Sequence, residues 1–404
     1  MTNDSIDPEM VMVSMVERMG NWWPAAIAGK PARPEERKSA GTLFAMEGIG
    51  RPVWSGRNYA GYAREGMMRN AVAYRCVRMI AEAASSVKLV GAQGLEQVSD
   101  HGALELLRRP GPGLTAADLF ERWYGTLLVS GNVYVHAVAV GGQVRELQLL
   151  RPDRVTVMPG RDGWPAGYEY TIDGRKTVLN GDAVDGVSKV LHVKLFHPVD
   201  DHYGLSPMEA AANAIDIHNT ATRWNKALLD NAARPSGALV YNAGGQLSGE
   251  QFDRLKEELE HSFQGARNAG RPMLLEGGLD WKAMSLSPRD MDFIEAKNAA
   301  AREIALAMGV PPMLLGIPGD NTYANYQEAN RSFWRQTVLP LVERSARALS
   351  TWLEPAFDEA IELKPDVETL DALQTEREAL WRRVEQASFL SDDEKRAAVG
   401  YGER

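Results

Sequence analysis

Between Ser206 and Gly309 the apolar positions follow a helical period twice, and each run is opened by the same signal. The first begins Ser206-Pro207-Met208-Glu209 and the second Ser287-Pro288-Arg289-Asp290. In each, serine can cap, proline fits the first helical position where no N–H is needed, and the acid, Glu209 or Asp290, can close a capping box. The first run is apolar at Ala210, Ala214, Ile217, Ala221, Trp224 and Leu228, with Glu209, Asn213, Asp216, Thr220, Arg223 and Asp230 on an opposite stripe. It predicts an amphipathic rod of about 27 residues, roughly 40 Å long. The second is apolar at Met291, Ile294, Ala301, Ile304, Ala305 and Met308 and stops at Gly309 before Pro311-Pro312. Its other side carries Asp292, Ala296, Ala299 and Glu303. The two rods are expected side by side.

Between them, Gly237 to Tyr241, Met273 to Leu275 and Leu279 to Met284 read as strands, and Ser248 with Gln251 caps a helix running to about Phe263. This module of about 50 residues is too small to be more than marginally stable alone and should sit at the tip of the rods. Upstream, Asn70 to Ser85 reads as a helix, Val87 to Val90 as a strand, and Thr115 to Asp118 as a capping box opening a helix that ends near Val129. Strand runs at Val133 to Val140 and Val144 to Leu150 flank Gly141-Gly142; Tyr168 to Ile172 turns at Asp173-Gly174 into Thr177 to Leu179; Val190 to Phe196 is a further strand. Residues 61–205 thus form an α+β domain of mostly antiparallel strands, in a chain that is helix-rich overall.

After Gly309, residues 311–325 are dense in Pro, Gly, Asp and Asn, and Asn321 or Thr322 can cap a long helix from about Ala324 to Phe357. Pro340 should kink or break that helix. A strand-like link at Ile361 to Leu363 leads to a charged helical tail over Thr369 to Arg396. The first 60 residues, with a short helix over Pro8 to Met19 and the pair Trp22-Trp23, read as an arm with little core of its own.

Composition narrows the function. With 404 residues, 44% hydrophobic and 25% charged, the chain can build two or three cores. A net charge of -9 argues against a broad basic surface gripping nucleic acid, but allows DNA to slide past. The single Cys76 lies in an apolar-periodic run and reads as a buried thiol, which suits a reducing cytoplasm. No run of 18 apolar residues exists, and the chain opens with acids, so no membrane partner or signal peptide is expected.

Catalytic signals are sparse. Gly29-Lys30-Pro31 lacks the loop and hydroxyl of a nucleotide-binding motif, and no Gly-x-Ser-x-Gly elbow occurs. His197, Asp200, Asp201 and His202 place metal-ligand residue types in one short loop, so a metal-dependent hydrolase is one reading. The other is a polar connection between a strand and the Ser206 helix, which the lack of a helical His pair or a third cluster favours. No cofactor is called for.

Eight segments then recur in an order that resembles the portal proteins of tailed bacteriophages: LELLRRP (104–110), LVSGNVY (128–134), VLH (190–192), YGLSP (203–207), RPSGAL (234–239), RPMLLEG (271–277), VPPMLL (310–315) and TVLP (337–340). Each is weak alone; their order carries the resemblance, which covers residues of about 70–400 and points to the compact branch of long-tailed phages, prophages and gene transfer agents. The resemblance implies a portal fold: residues 1–60 an arm, 61–205 a wing to which 340–365 returns, 206–234 and 287–309 the two stem helices, 235–286 a small α/β clip, 310–326 a tunnel loop, 327–365 a kinked helix, and 366–404 a short crown. It further implies a homo-oligomeric ring at one vertex of the virion capsid, assembled in the bacterial host cytoplasm and set against the major capsid protein. Double-stranded DNA is driven through it by a terminase whose large subunit docks on the clip, and a head-tail adaptor later takes that place. No catalytic residues are implied.

The physics of a ring agrees. Helices packed at 8 to 10 Å around a duplex roughly 20 Å wide number roughly ten to thirteen, so about twelve subunits fit. Twelve copies at -9 sum to 12 × -9 = -108, a field that repels phosphate on average. Asp292 and Glu303 therefore face either the lumen or a neighbouring helix within the ring. In the tunnel loop, Asp320, Asn321, Thr322, Tyr323 and Asn325 offer short polar groups able to touch a DNA backbone without holding it.

Overall fold

The computed structural model describes residues 54–93, 96–141, 143–161, 163–180, 183–184, 187–230, 237–241, 248–251, 253–254, 257, 279–283, 293–318, 322–357 and 360–399, all within the unit Trp54–Arg404. The expectations for the arm before Trp54, for Ser287, Asp290, Met291 and Asp292, for Asp320 and Asn321, and for the strand at 273–275 lie outside these residues.

A π-helical segment, Tyr62–Met68, leads into helix α1, Ala71–Ser86. Asn70 starts α1 by accepting from the amides of Val72 and Ala73 at 3.1 and 3.0 Å, and Ala73, Cys76, Val77, Ile80, Ala81 and Ala84 form its buried stripe. Strands β1 (Leu89–Gln93) and β2 (Glu96–Val98) and the short helix α2 (Gly102–Arg108) follow. Helix α3, Ala116–Ser130, opens with the expected Thr115–Asp118 capping box and ends at Gly131 with φ of 74°. Its Trp123 is fully buried and donates to the Ser345 hydroxyl at 3.0 Å.

The strands pair antiparallel throughout. β3 (Asn132–Val140) and β4 (Gln143–Leu150) form one hairpin; β5 (Val155–Pro159), β6 (Pro165–Ile172) and β7 (Arg175–Asn180) form a meander whose second turn puts Asp173 and Gly174 at φ of 48° and 79°. A two-residue pair, β8 (Ala183–Val184) and β9 (Val187–Ser188), precedes β10 (Val190–Lys194), which joins the edge of β3. Tyr134, Leu150, Val155, Val157, Tyr168, Leu179 and Val190 make a small core of their own.

The rods follow as α4 (Pro207–Ala210) and α5 (Ala212–Asp230), then α6 (Phe293–Ala307). Between them, β11 (Gly237–Tyr241) pairs with β12 (Leu279–Ala283), and Ser248 and Gln251 exchange the two bonds of a capping box at 3.0 and 3.3 Å. The single rod expected from Ser206 is therefore interrupted: Ala211, at φ -84° and ψ -2°, separates α4 from α5. Beyond Gly309, α7 (Tyr323–Phe333), a π-helical segment (Trp334–Val338) and α8 (Leu339–Leu353) make the long helix. β13 (Glu362–Pro365) returns to pair with β1, and helices α9 (Gln374–Gln386) and α10 (Asp392–Ala398) close the chain. The main core gathers α1 and α3 with Ile215 of α5, Ile304 of α6, and Val342 and Leu349 of α8. The mixed, helix-rich α+β class expected from the pattern is the class observed.

Candidate functional site

The foot of the first rod is held by two glycines pressed together. A Cβ on Gly131 would lie 2.4 Å from the Gly204 carbonyl, and one on Gly204 would lie 2.1 Å from the Gly131 carbonyl, distances no side chain tolerates. Asn132 locks this contact, accepting from the Gly204 amide at 2.7 Å and donating to the Gly204 carbonyl at 3.3 Å. Ser206, buried, accepts from the Met208 amide at 3.0 Å and directs its hydroxyl between the Leu128 and Val129 carbonyls, 2.9 Å from each. Ser206 is thus the expected cap. Glu209 does not turn back to complete a box: it is exposed, and its charge, after burial itself, helps push the Tyr62 phenol up to about 12.

The buried face of α5 differs from the one the apolar period predicts. Ala214 and Ala221 are buried as predicted, but Ile217, and Ala210 at the end of α4, are exposed, and Ala212 and Ile215 are buried instead together with Asp216, His218 and Asn219. The reason is a polar network that hydropathy cannot see. Asn70 donates to Asn219 Oδ1 at 3.0 Å and to His218 Nδ1 at 3.2 Å while its own oxygen caps α1, so all four of its hydrogen-bonding positions are used. Asn219 in turn donates to the Glu65 carbonyl at 2.9 Å, and Asp216 accepts from the amide and hydroxyl of Ser55. Burial first, and then the Lys297 charge on α6, hold His218 below the usual histidine range, so it stays neutral as an acceptor. The sequence carries a partial signal for this site: Asn70, a residue type that favours helix caps, opens a predicted helix, and Asp216, His218 and Asn219 cluster around Ile217 in α5.

α5 and α6 pack along each other, and because β11 follows α5, β12 precedes α6 and the two strands pair, the helices run antiparallel. α6 buries Ala301, Ile304 and Ala305, with Met308 just past its end, as its period predicts, and Ala300 besides; Ile294 is exposed. Gly309 ends it with φ of 69°; the Val310 amide reaches the Ala305 carbonyl at 2.9 Å and so caps the last turn. The Gly309 carbonyl then accepts the Thr337 hydroxyl at 2.5 Å.

Thr337 belongs to the segment where a kink at Pro340 was expected. Proline has no N–H to offer the carbonyl four residues back, and the ladder absorbs this by widening, with the Leu339 amide bonding to the Trp334 carbonyl in a π-turn. The helix passes Pro340 without a break. Between Gly309 and this helix, Pro312–Leu315 form a 3-10 turn ended by Gly316 at φ 71°, and Arg302 donates to the Pro318 carbonyl. Thr322 caps α7 by accepting from the Asn325 amide at 3.3 Å. Tyr323 and Asn325 therefore lie in the first turn of α7 and not in the loop, which the preference of threonine for the cap explains.

In the loop with metal-ligand residue types, His197 and Asp200 are engaged in local bonds, while the buried His202 Nδ1 has no partner. Asp200 accepts from the amides of His202 and Tyr203 at 2.7 and 2.9 Å, and the Tyr203 amide leads the interactions that hold its carboxyl below the ordinary range. His197 accepts from the Val199 amide at 3.2 Å, and Asp201 uses its backbone carbonyl to receive Lys194. Among the described residues, no three His, Cys, Asp or Glu side chains gather as a metal site, and no helix is long and apolar enough to cross a membrane.

The family model for phage portal proteins matches residues 71–400. The chain belongs to the phage portal protein family. An uncharacterized protein of Rickettsia bellii is 43% identical over 334 residues, 82% of this chain and 86% of that one. Among solved structures, a chain in the neck of an empty gene transfer agent particle, computed with C6 symmetry, is 53% identical with a TM-score of 0.70, covering 90% of this chain and all of that one. A chain in the neck of a native gene transfer agent particle computed with C12 symmetry is 54% identical with a TM-score of 0.67, covering 88% and 97%. The short motifs of this portal chain acquire physical reasons from the geometry: LVSGNVY and YGLSP hold the paired glycines and the Ser206 cap, and TVLP holds Thr337 and Pro340.

Proposed function

We propose that this chain assembles into a ring of about twelve copies at one vertex of a phage or gene-transfer-agent capsid, and that DNA enters and leaves through its centre. The observation that carries the reading is the antiparallel pair α5 and α6 with a separate strand pair, β11 and β12, at its far end. Such a pair repeated around an axis makes a wall, and residues 235–286 then form a clip at one end of the wall. There the clip meets first the large subunit of a terminase and later a head-tail adaptor. The match to a neck chain in a particle computed with C12 symmetry supports the copy number.

In this reading, residues 61–205 with 340–365 are the wing against the major capsid protein, residues 310–326 the tunnel loop together with the first turn of α7, and 366–404 the crown. Asp320, Asn321, Thr322, Tyr323 and Asn325 touch the passing DNA without gripping it. A net charge of 12 × -9 = -108 keeps the bore from binding phosphate tightly. The protein guides and docks; it does not catalyse. The test is native mass and projection imaging of the purified full chain. A ring with a central hole is expected, and a stable monomer under assembly conditions would overturn the reading.

A further inference from the structure

The polar network beside the first rod contains one member that can change from acceptor to donor. Asn70, 1% exposed, donates to Asn219 Oδ1 and to His218 Nδ1, and its own oxygen accepts from the amides of Val72 and Ala73. Asn219 extends the chain by donating to the Glu65 carbonyl in the π-helical segment. Both ends fix the order of donors. The amides that open α1 demand an oxygen from Asn70, and the Glu65 carbonyl demands an N–H from Asn219. His218 Nδ1 must then be bare, with the proton of the neutral ring on Nε2.

A proton on His218 reverses this order. Nδ1 becomes a donor and meets the Asn70 N–H, donor against donor. Turning the Asn70 amide offers His218 an oxygen, but sets N–H groups against the Val72 and Ala73 amides and an oxygen against that of Asn219. Turning Asn219 as well only moves the mismatch to the Glu65 carbonyl. All three side chains are buried, so the groups left unpaired are also kept from water. The surrounding charges act in the same direction. Lys297 on α6 opposes a second positive charge at His218. Glu65 is paired with Arg69 at 2.7 Å, Asp216 is held by Ser55 with Arg57 3.8 Å away, and Glu295 and Glu303 of α6 are exposed.

We infer that Asn70, His218 and Asn219 form a proton-operated latch that ties α5 to the start of α1 and to the π-helical segment before it. With His218 neutral the latch is closed. When His218 takes a proton, the side-chain cap of α1 and the tie to Glu65 open together, and Lys297 is repelled along with α6. Every group involved belongs to one subunit, so the latch stands or falls independently of the ring reading above.

Hydrogen exchange of the full chain, resolved to single amides and corrected for the intrinsic effect of pH, reads the latch at Val72 and Ala73. Protection of both should fall together as pH drops from about 7 to about 4.5, by about tenfold per pH unit once His218 is protonated. The Asp118 amide, capped by Thr115 at the start of α3, should keep its protection. His218→Asn retains an acceptor and cannot titrate, so its Val72 and Ala73 protection should stay level. Lys297→Met removes the neighbouring charge and should move the loss to higher pH, which decides the matter even where His218→Asn does not fold. Wild-type protection that is unchanged over this range, or that falls equally in His218→Asn, overturns the latch. So does a loss whose midpoint ignores Lys297→Met.

Discussion

The Thr337 hydroxyl donates to the Gly309 carbonyl at 2.5 Å, joining the residue that ends α6 to the π-turn before Pro340, 28 positions later in the chain. A Cβ on Gly309 would stand 2.9 Å from that hydroxyl oxygen, and its φ of 69° is one that other residues avoid. The end of the second rod and the start of the long helix are thus positioned by each other. In the proposed ring, this junction carries the tunnel loop between them.

The first prediction concerns that junction. Gly309→Ala should destabilise the fold by about 2 kcal/mol, from left-handed strain together with the clash. Thr337→Ala should cost about 1 kcal/mol for the lost bond. In the double variant the clash is gone, so the combined loss should fall below the sum. Urea unfolding of the four proteins measures the coupling, and strict additivity would contradict the contact.

Asn70 is the second. Asn70→Ala removes a helix cap and strands His218 and Asn219, so it should cost about 2–4 kcal/mol. Asn70→Asp keeps the cap acceptor but loses both side-chain donors, and should be intermediate. Chemical denaturation followed by circular dichroism ranks the three; an aspartate variant as stable as wild type would mean that the donors contribute nothing.

The third is a pH dependence. His192 stacks on Tyr134 at 4.2 Å and bonds to Asn132 at 3.0 Å; burial first, then the charges of Lys194 and His202, pull it from 6.5 to about 3. Because the folded value is depressed, the unfolded chain takes up the proton first. Stability should therefore fall as pH drops from about 6.5 toward 3, by up to about 1.4 kcal/mol per pH unit, with no contribution above that window. His192→Gln can still donate to Asn132 and should flatten the acid limb; melting temperatures across pH compare the two.

Gly204 is the fourth. Any side chain there meets the backbone carbonyl of Gly131, and no rotamer change relieves it. Gly204→Ala should cost about 3 kcal/mol or more, seen as a large loss of soluble protein or a lower denaturation midpoint. Gly141→Ala is the comparison: its Cβ meets nothing within 4 Å, so only the strain of φ 65° should appear.

Much of this was legible in the chain itself wherever a few neighbouring residues decide the outcome. The Thr115–Asp118 and Ser248–Gln251 capping boxes, the Asp173-Gly174 turn, the Ser206 cap and the stop at Gly309 all form as read, because caps and tight turns are closed by bonds within a few positions. The order of parts was legible for the same reason: two helical runs around a small module need no partner to be recognised.

Tertiary structure decided the rest. Which side of α5 is buried depended on Asn70, some 149 positions away, whose unpaired groups would cost more than burying the polar face of Asp216, His218 and Asn219. Whether Pro340 broke its helix depended on a widened turn that Thr337 ties to Gly309. Hydrophobic period reports only how apolar each side of a helix is, and a face can be buried because its polar groups find partners. Asp216, polar and buried, is placed by Ser55 coming to lie against it, and Ile217 beside it, apolar, is left exposed as a result.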